Sequence, residues 1–405
     1  MKNWDVKKLR DLADIRVSNV DKKIYPSERP VKLCNYMDVY TNEYIDGSIQ
    51  FMEGSANDAE IERFGLNIGD VIITKDSETP DDIGIPTVIH EQIDNLVCGY
   101  HLALIRPDNE KIDSIFLSKY LSTSRVANYF ALHASGSTRF GLPIGAIESV
   151  EILTPPKQEQ TQIATILSTI DRAIEQTEAL IAKQQRIKTG LMQDLLTKGI
   201  DENGNIRSEE THKFKDSPLG RIPVEWEVKE IGKVASLQRG YDIREIDFLP
   251  GNFPVIASSG IIGFHKFRTS IGPNVVVGRK GSIGNVYYIG LDFWAHDTSL
   301  FVTNFFGNHE RYIYYLFVYL ELERFGTKSG SPSLNRNDIH PLLVSIPNPN
   351  EQIEIARIIY NCDELLTTLS KELEKNKLQK TGLMQDLLTG KVRVTDLLNQ
   401  KTATN

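Results

Sequence analysis

Cysteine is scarce in this sequence: Cys34, Cys98 and Cys362 are the only three in 405 residues. They lie far apart, with no C-x-x-C and no histidine at ligand spacing. That pattern argues for a reducing compartment and against a structural zinc site. Long apolar runs are also missing, so no membrane-spanning helix is expected. The opening MKNWDVKKLRDL lacks the apolar core of a secretory signal, and a cytoplasmic location is the expectation. Positive charge is not in surplus either. The net charge is −8, with −7 over residues 1–157 and +1 over 226–347. No segment shows the basic excess of a self-sufficient DNA clamp, so any DNA contact needs a local basic face or cations from partners.

Chemistry-bearing motifs are missing as well. The eight histidines are scattered, with no H-E-x-x-H, no Walker A loop and no G-x-G-x-x-G. His296-Asp297 has no nucleophile in view. Pro80-Asp81 with Glu91 lacks the lysine of a nuclease carboxylate set, because position 93 is isoleucine. The LTPP of 153–156 and IPNPN of 346–350 are not the N-P-P-[FY] of amino-methyltransferases. No catalytic residue, no metal ligand and no bound cofactor is assigned.

What the sequence does contain is a duplication. KTGLMQDLLT stands at 188–197 and again, identically, at 380–389. At the same offset Pro155 matches Pro347, Glu159-Gln160 matches Glu351-Gln352, and Asp171 matches Asp363. Trp4-Asp-Val-Lys-Lys-Leu matches Trp226-Glu-Val-Lys-Glu-Ile at a different offset. Each half is therefore a variable lobe followed by a constant segment. The boundaries read as lobe 1–155, helix 156–199, connector 200–225, lobe 226–347, helix 348–391 and tail 392–405. In the constant segments, steps of four and three mark a coiled-coil seam. It includes Ile163, Ile170, Ile174, Leu191 and Leu195 in the first helix, and Ile355, Leu366, Leu373, Leu383 and Leu387 in the second. Asn350 reads as an N-cap, and Gly199 and Gly390 as stops. Gly190 and Gly382 sit inside the helices, for close helix approach or a kink. Each helix has about 38 residues, roughly 57 Å at ~1.5 Å per residue, and needs a mate for its apolar stripe. Antiparallel pairing of the duplicates gives a pseudo-two-fold with a lobe at each end of a rod. A coiled coil joining two chains, or bundling with other subunits, also fits the stripe.

The fold class expected is α+β: two mixed α/β lobes separated by two long helices paired as an antiparallel coiled coil. In the second lobe, 275–290 reads as a β-hairpin and 308–325 as helical. In the first, 70–84 is strand and turn, with helix near 113–132. The tip Gly278-Arg279-Lys280-Gly281-Ser282 suits phosphates or base edges. Lys75 aligns with Lys280. Thr138 and Arg139 in GSTRFGL, and Asn335 and Arg336 in GSPSLNRND, are the other candidate DNA contacts, with Ser331 and Ser333 as lesser phosphate donors. A solvated surface turn is the plain alternative for each.

The repeated KTGLMQDLLT, the connector KDSPLGRIPVEW at 215–226 and the E-Q-x-x-I-A helix starts resemble the specificity subunit of type I restriction–modification enzymes, over essentially the whole chain. The resemblance implies that each lobe is a target recognition domain reading one half of a split double-stranded DNA target, and that the helices are spacers. It further implies two modification subunits that carry S-adenosylmethionine, and restriction subunits that use ATP and Mg2+. A non-catalytic bivalent DNA-binding scaffold or regulator outside restriction is the other reading.

Overall fold

The computed structural model describes residues 4–326 and 332–395. Two compact units emerge, one of residues 1–177 with 372–405 and one of 178–371. Each contains one lobe with the start of one long helix and the end of the other.

The lobes share one topology. In the first, a five-stranded sheet runs in the order Ala13–Val17, Leu102–Pro107, Val71–Thr74, Pro86–Ile89, Tyr44–Ile45. In the second, Ser236–Arg239, Ser299–Asn304, Asn274–Gly278 and Val286–Ile289 repeat the first four positions. A three-stranded sheet accompanies each: Met52–Ala56, Arg29–Cys34, Leu96–Cys98, and correspondingly Gly260–His265, Phe253–Ala257, Trp294–Ala295. The lobe's first strand closes against its last, Asp5–Lys8 on Glu151–Thr154 and Glu227–Glu230 on Leu343–Ile346, both antiparallel. These contacts tie the two ends of each lobe together just before a long helix departs.

The central strands are apolar on both faces, since Val71–Thr74 and Asn274–Gly278 are buried at every residue. Such runs suit strands covered on both sides. The helical stretch expected near 113–132 is two helices, Ser114–Leu121 and Ser124–His133. That expected at 308–325 is an α-helix, Glu310–Tyr319, followed by a short 3-10 turn.

The long helices are Lys157–Thr197 and Pro349–Leu388. All ten named seam residues are buried or half-buried. In the first unit Ile163 and Leu167 share a core with Leu383 and Leu387; in the second Leu191 and Leu195 share one with Ile355 and Ile359. The start of each helix thus lies against the end of the other, which is the antiparallel register. Asn350 is not the cap: Pro349 already occupies the first helical position, and Asn348 Oδ1 accepts from Glu351 N at 3.1 Å. Proline suits that position because its missing N–H has no helical acceptor. Gly199 and Gly390 do end their helices, in the left-handed region at φ +65° and +71°. The reading of Gly190 and Gly382 as close helix approaches fails within the chain, because a Cβ at either meets nothing within 4 Å. The 200–225 stretch is more ordered than a plain connector: Phe214–Ser217 and Gly220–Pro223 pair as a hairpin.

Candidate nucleic-acid interface

Each lobe is fixed to its helix by the same polar socket. In the first unit Glu159 accepts from Trp4 Nε1 at 3.0 Å and from Arg393 at 2.8 and 2.7 Å. In the second, Glu351 accepts from Trp226 Nε1 at 3.3 Å and from Arg207 at 2.5 and 3.2 Å. The arginine in each case lies just beyond the glycine that stops the opposite helix. Gly199 is required there for two reasons. Its φ is positive, and a Cβ would fall 2.2 Å from Glu351 Oε1. The neighbouring glutamines do matching work. Gln160 Oε1 accepts from Asp113 N at 2.8 Å and Gln352 Oε1 from His309 N at 2.9 Å, holding the N-cap of the packed lobe helix in each unit.

About three helical turns further along, the repeat aspartates meet the repeat lysines. Lys188 pairs with Asp363 at 2.5 Å and Lys380 with Asp171 at 2.8 Å. The duplicated lysine and aspartate therefore form an ion pair between the helices, made twice. Counting six residues from the N-caps Asp113 and His309 reaches Lys119 and Tyr315, and both contact the same aspartate. Tyr315 Oη donates to Asp363 Oδ2 at 2.7 Å. Lys119 pairs with Asp171 at 2.6 Å and also with Glu43. Tyr44 Oη donates to Asp171 at 2.7 Å, and Lys380 bridges to Glu43. Burial alone would raise the Asp171 and Glu43 carboxyls, but Lys119 and Lys380 outweigh it and hold both below the usual carboxylate range.

The far ends of the central strands carry the remaining charge. Backbone hydrogen bonds establish the correspondence between lobes there. Lys75 N donates to His101 O at 2.9 Å, and Arg279 N to Thr298 O at 2.8 Å. Leu142 N donates to Lys75 O, and Leu334 N to Arg279 O. Lys75 thus corresponds to Arg279. The alignment of Lys75 with Lys280 is one residue out; Asp76 takes the place of Lys280, as the bridges to Gly141 and Ser333 also show.

In the first lobe Lys75 reaches Asp76 at 3.5 Å and lies over the Tyr100 ring. Asp76 accepts from His101 Nδ1 at 2.8 Å, and Arg139 Nη2 lies 3.1 and 3.3 Å from the two nitrogens of that ring. In the second lobe Arg279 Nη1 donates to the Asp297 carbonyl at 3.3 Å, while the Asp297 carboxylate accepts from Arg239 at 2.7 Å. His296 Nε2 lies 3.2 Å from Ile243 O, and its Nδ1 lies 2.9 Å from Thr298 Oγ1 and 3.3 Å from Asp297 Oδ1. Asp242, His296 and Asp297 bring donor atoms within 4.8 Å of one another, but the Arg239 and Thr298 contacts already commit the histidine and Asp297.

The structure brings Lys75 and Arg139 into one cluster and Arg279 and Lys280 onto one turn. Ser282 closes that turn, its carbonyl so near that a Cβ at Gly278 would sit 2.0 Å away. Thr138 is exposed. Asn335 is used otherwise than expected: it caps the helix Arg336–Ile339, accepting from Asn337 N at 3.0 Å, with Arg336 exposed beside it. Ser331 lies outside the described residues. Sequence reading missed Asp76, His101, Arg239 and Asp297. The only signal for them was the register of the duplication, and insertions between matched segments hide it.

The profile of the type I restriction modification DNA specificity domain matches residues 1–184 and 223–380. The chain belongs to that family. It is a non-catalytic specificity subunit, whose task is DNA target recognition within a restriction–modification complex. A putative type I restriction enzyme MjaX specificity subunit of Methanocaldococcus jannaschii is 24% identical over 97% of this chain and 94% of its own. The MjaIX specificity subunit of the same organism is 24% identical over 98% and 95%. Among solved structures, the S subunit of a type I restriction–modification system from M. genitalium superposes with a TM-score of 0.63 at 18% identity, covering 95% of this chain and 96% of that one. A chain from work on complex assembly and conformational transition of the type I R-M system gives 0.56 at 14%, covering 97% and 99%. The last two likenesses concern the fold. Among the described residues no helix is long and apolar enough to cross a membrane.

Proposed function

We propose that each lobe of this specificity subunit reads one half of a bipartite double-stranded DNA target, and that the duplicated helices dock two modification subunits. Restriction subunits complete the assembly in the cytoplasm. The chain itself holds no cofactor; S-adenosylmethionine belongs to the modification subunits, and ATP and Mg2+ to the restriction subunits. The observation that carries this reading is the double socket. Glu159–Trp4–Arg393 and Glu351–Trp226–Arg207 place the same lobe edge against the same helix sequence twice, so whatever binds KTGLMQDLLT finds two matching seats. The lobes carry different polar groups at corresponding strand ends, which suits two different half-targets. Lys75, Thr138, Arg139, Arg279, Lys280, Ser282, Asn335 and Arg336 remain the proposed DNA contacts, Asn335 through what its cap leaves free.

Native mass spectrometry of the co-expressed complex gives the stoichiometry, expected to be two modification subunits to one copy of this chain. Methylome sequencing of the host with and without the gene gives the target, expected as two short blocks with an unread gap. A saturated one-to-one complex, or a single uninterrupted block, overturns the reading.

A further inference from the structure

The two lobes form an internal comparison, since both are fixed to their helices by the same tryptophan–glutamate–arginine socket. Where lobe and helix meet, side chains recur: tryptophan, glutamate, glutamine, aspartate, lysine. At the strand ends the backbone recurs and the side chains do not. Gly99 N donates to Cys34 O and His296 N to Ile256 O, each at 2.9 Å. Ser18 N donates to Leu102 O at 3.2 Å and Gly240 N to Ser299 O at 3.0 Å. With the pairings above, these bonds set Lys75 against Arg279, Asp76 against Lys280, Tyr100 against Asp297, His101 against Thr298, and Val17 against Arg239. One scaffold thus holds two different sets of donors and acceptors. A duplicated fold that must seat one kind of partner and read two different sequences would differ at these positions.

We infer that the specificity-determining groups are Arg239 and Asp297 in the second lobe and Asp76, His101 and Arg139 in the first, reading base edges in the major groove. This rests on the DNA-recognition reading and assigns its residues. A guanidinium donates two parallel hydrogen bonds to guanine N7 and O6, while a carboxylate accepts from the exocyclic amine of cytosine. Arg239 has the exposure to do this, with 53% of its side chain accessible. Asp297, at 16%, is set behind it and orients the guanidinium plane. An arginine held by a carboxylate loses less freedom on binding than a free one. Tyr241, in edge contact with Trp294 at 6.3 Å between centroids, borders the same turn. In the first lobe the order is the same with a histidine between: Asp76 lies low at 17% exposure, His101 sits on it, and Arg139 is outermost. Both assemblies are a carboxylate base carrying an outward arginine, reached through different backbone positions.

The test uses the complete complex with its modification subunits, incubated with a duplex library randomised across both half-targets; bound and methylated duplexes are sequenced. Arg239→Gln and Asp297→Asn should lower the preference at one or two positions of one half-target by roughly five- to a hundred-fold, with the other half unchanged. Asp76→Asn and Arg139→Gln should do the reverse. Arg239→Lys keeps the charge and the pairing with Asp297 but loses the planar fork; it should melt like the parent and still lose preference. Unchanged preference in both halves, with only melting altered, makes these surface ion pairs and overturns the inference. Simultaneous loss in both halves by Arg239→Lys overturns it too. If the parent complex selects no bipartite motif, the DNA-recognition reading itself fails, whatever the variants do.

Discussion

The stems of the two lobes solve one packing problem with different chemistry. In the second unit, Tyr315 meets Asp363 with a phenol whose hydroxyl is pushed up by burial and by that carboxylate, so it stays a donor. In the first unit, Lys119 stands at the corresponding place with only 4% of its side chain exposed. A buried ammonium needs more than one carboxylate to compensate its lost hydration. Glu43 and Tyr44 supply the rest. The phenol needs no such retinue. In the first unit the lysine is met by Glu43 and Tyr44 at the edge strand Tyr44–Ile45, and the constant helix, Asp171 or Asp363 with its lysine, accepts either solution.

The largest expected effect is at the sockets. Glu351→Ala should cost about 3–5 kcal/mol by leaving Arg207 buried without its partner, read by thermal or denaturant melting. Glu159→Ala should cost less, because the Arg393 side chain is 26% exposed against 10% for Arg207. Equal losses would mean that exposure does not distinguish the two sockets.

Next come the residues that differ. Lys119→Met should cost about 3 kcal/mol, since Glu43 and Asp171 then share Lys380 alone. Tyr315→Phe removes one hydrogen bond to a charged acceptor and should cost about 1.5 kcal/mol. A larger loss for Tyr315→Phe would reverse the ranking of the two stems.

Acid should separate them further. Asp171 and Glu43 have lowered folded values, so their contribution is fully present above the ordinary carboxylate range, around pH 4, and is lost as pH falls through those lowered values. Melting followed from pH 5 to pH 3 should show this loss in the parent and a flatter profile in Lys119→Met. Parallel profiles would mean that Lys119 does not set the two carboxyls.

The smallest effect concerns residues identical in both halves. Gly190→Ala and Gly382→Ala should each stabilise the isolated chain by about 1 kcal/mol, because alanine is the better helix former and neither Cβ meets another atom. A melting temperature that falls would reveal a neighbour that the open space denies.

Much of this organisation was legible in the sequence because repetition and periodicity are local. The seam could be read from leucine and isoleucine spacing, since an α-helix returns each fourth or third residue to the same side whatever surrounds it. The stops at Gly199 and Gly390 followed from the scarcity of residues that tolerate a positive φ. The hairpin across 275–290 followed from alternation and glycine.

The cap was misplaced by two residues because either asparagine of PNPN is a plausible acceptor, and only the position of Pro349 in the first turn selects Asn348. The reading ends were half-legible. Arg139, Arg279 and Lys280 are conspicuous beside glycines, while Asp297 and Arg239 are separated by 58 positions and meet only because adjacent strands of one sheet deliver them. The sequence by itself determined the duplicated order of lobe and helix, the seam and the family. Tertiary structure alone decided which charges share a site, because pairing across strands depends on register, and register is set by the whole sheet and not by neighbours in the chain.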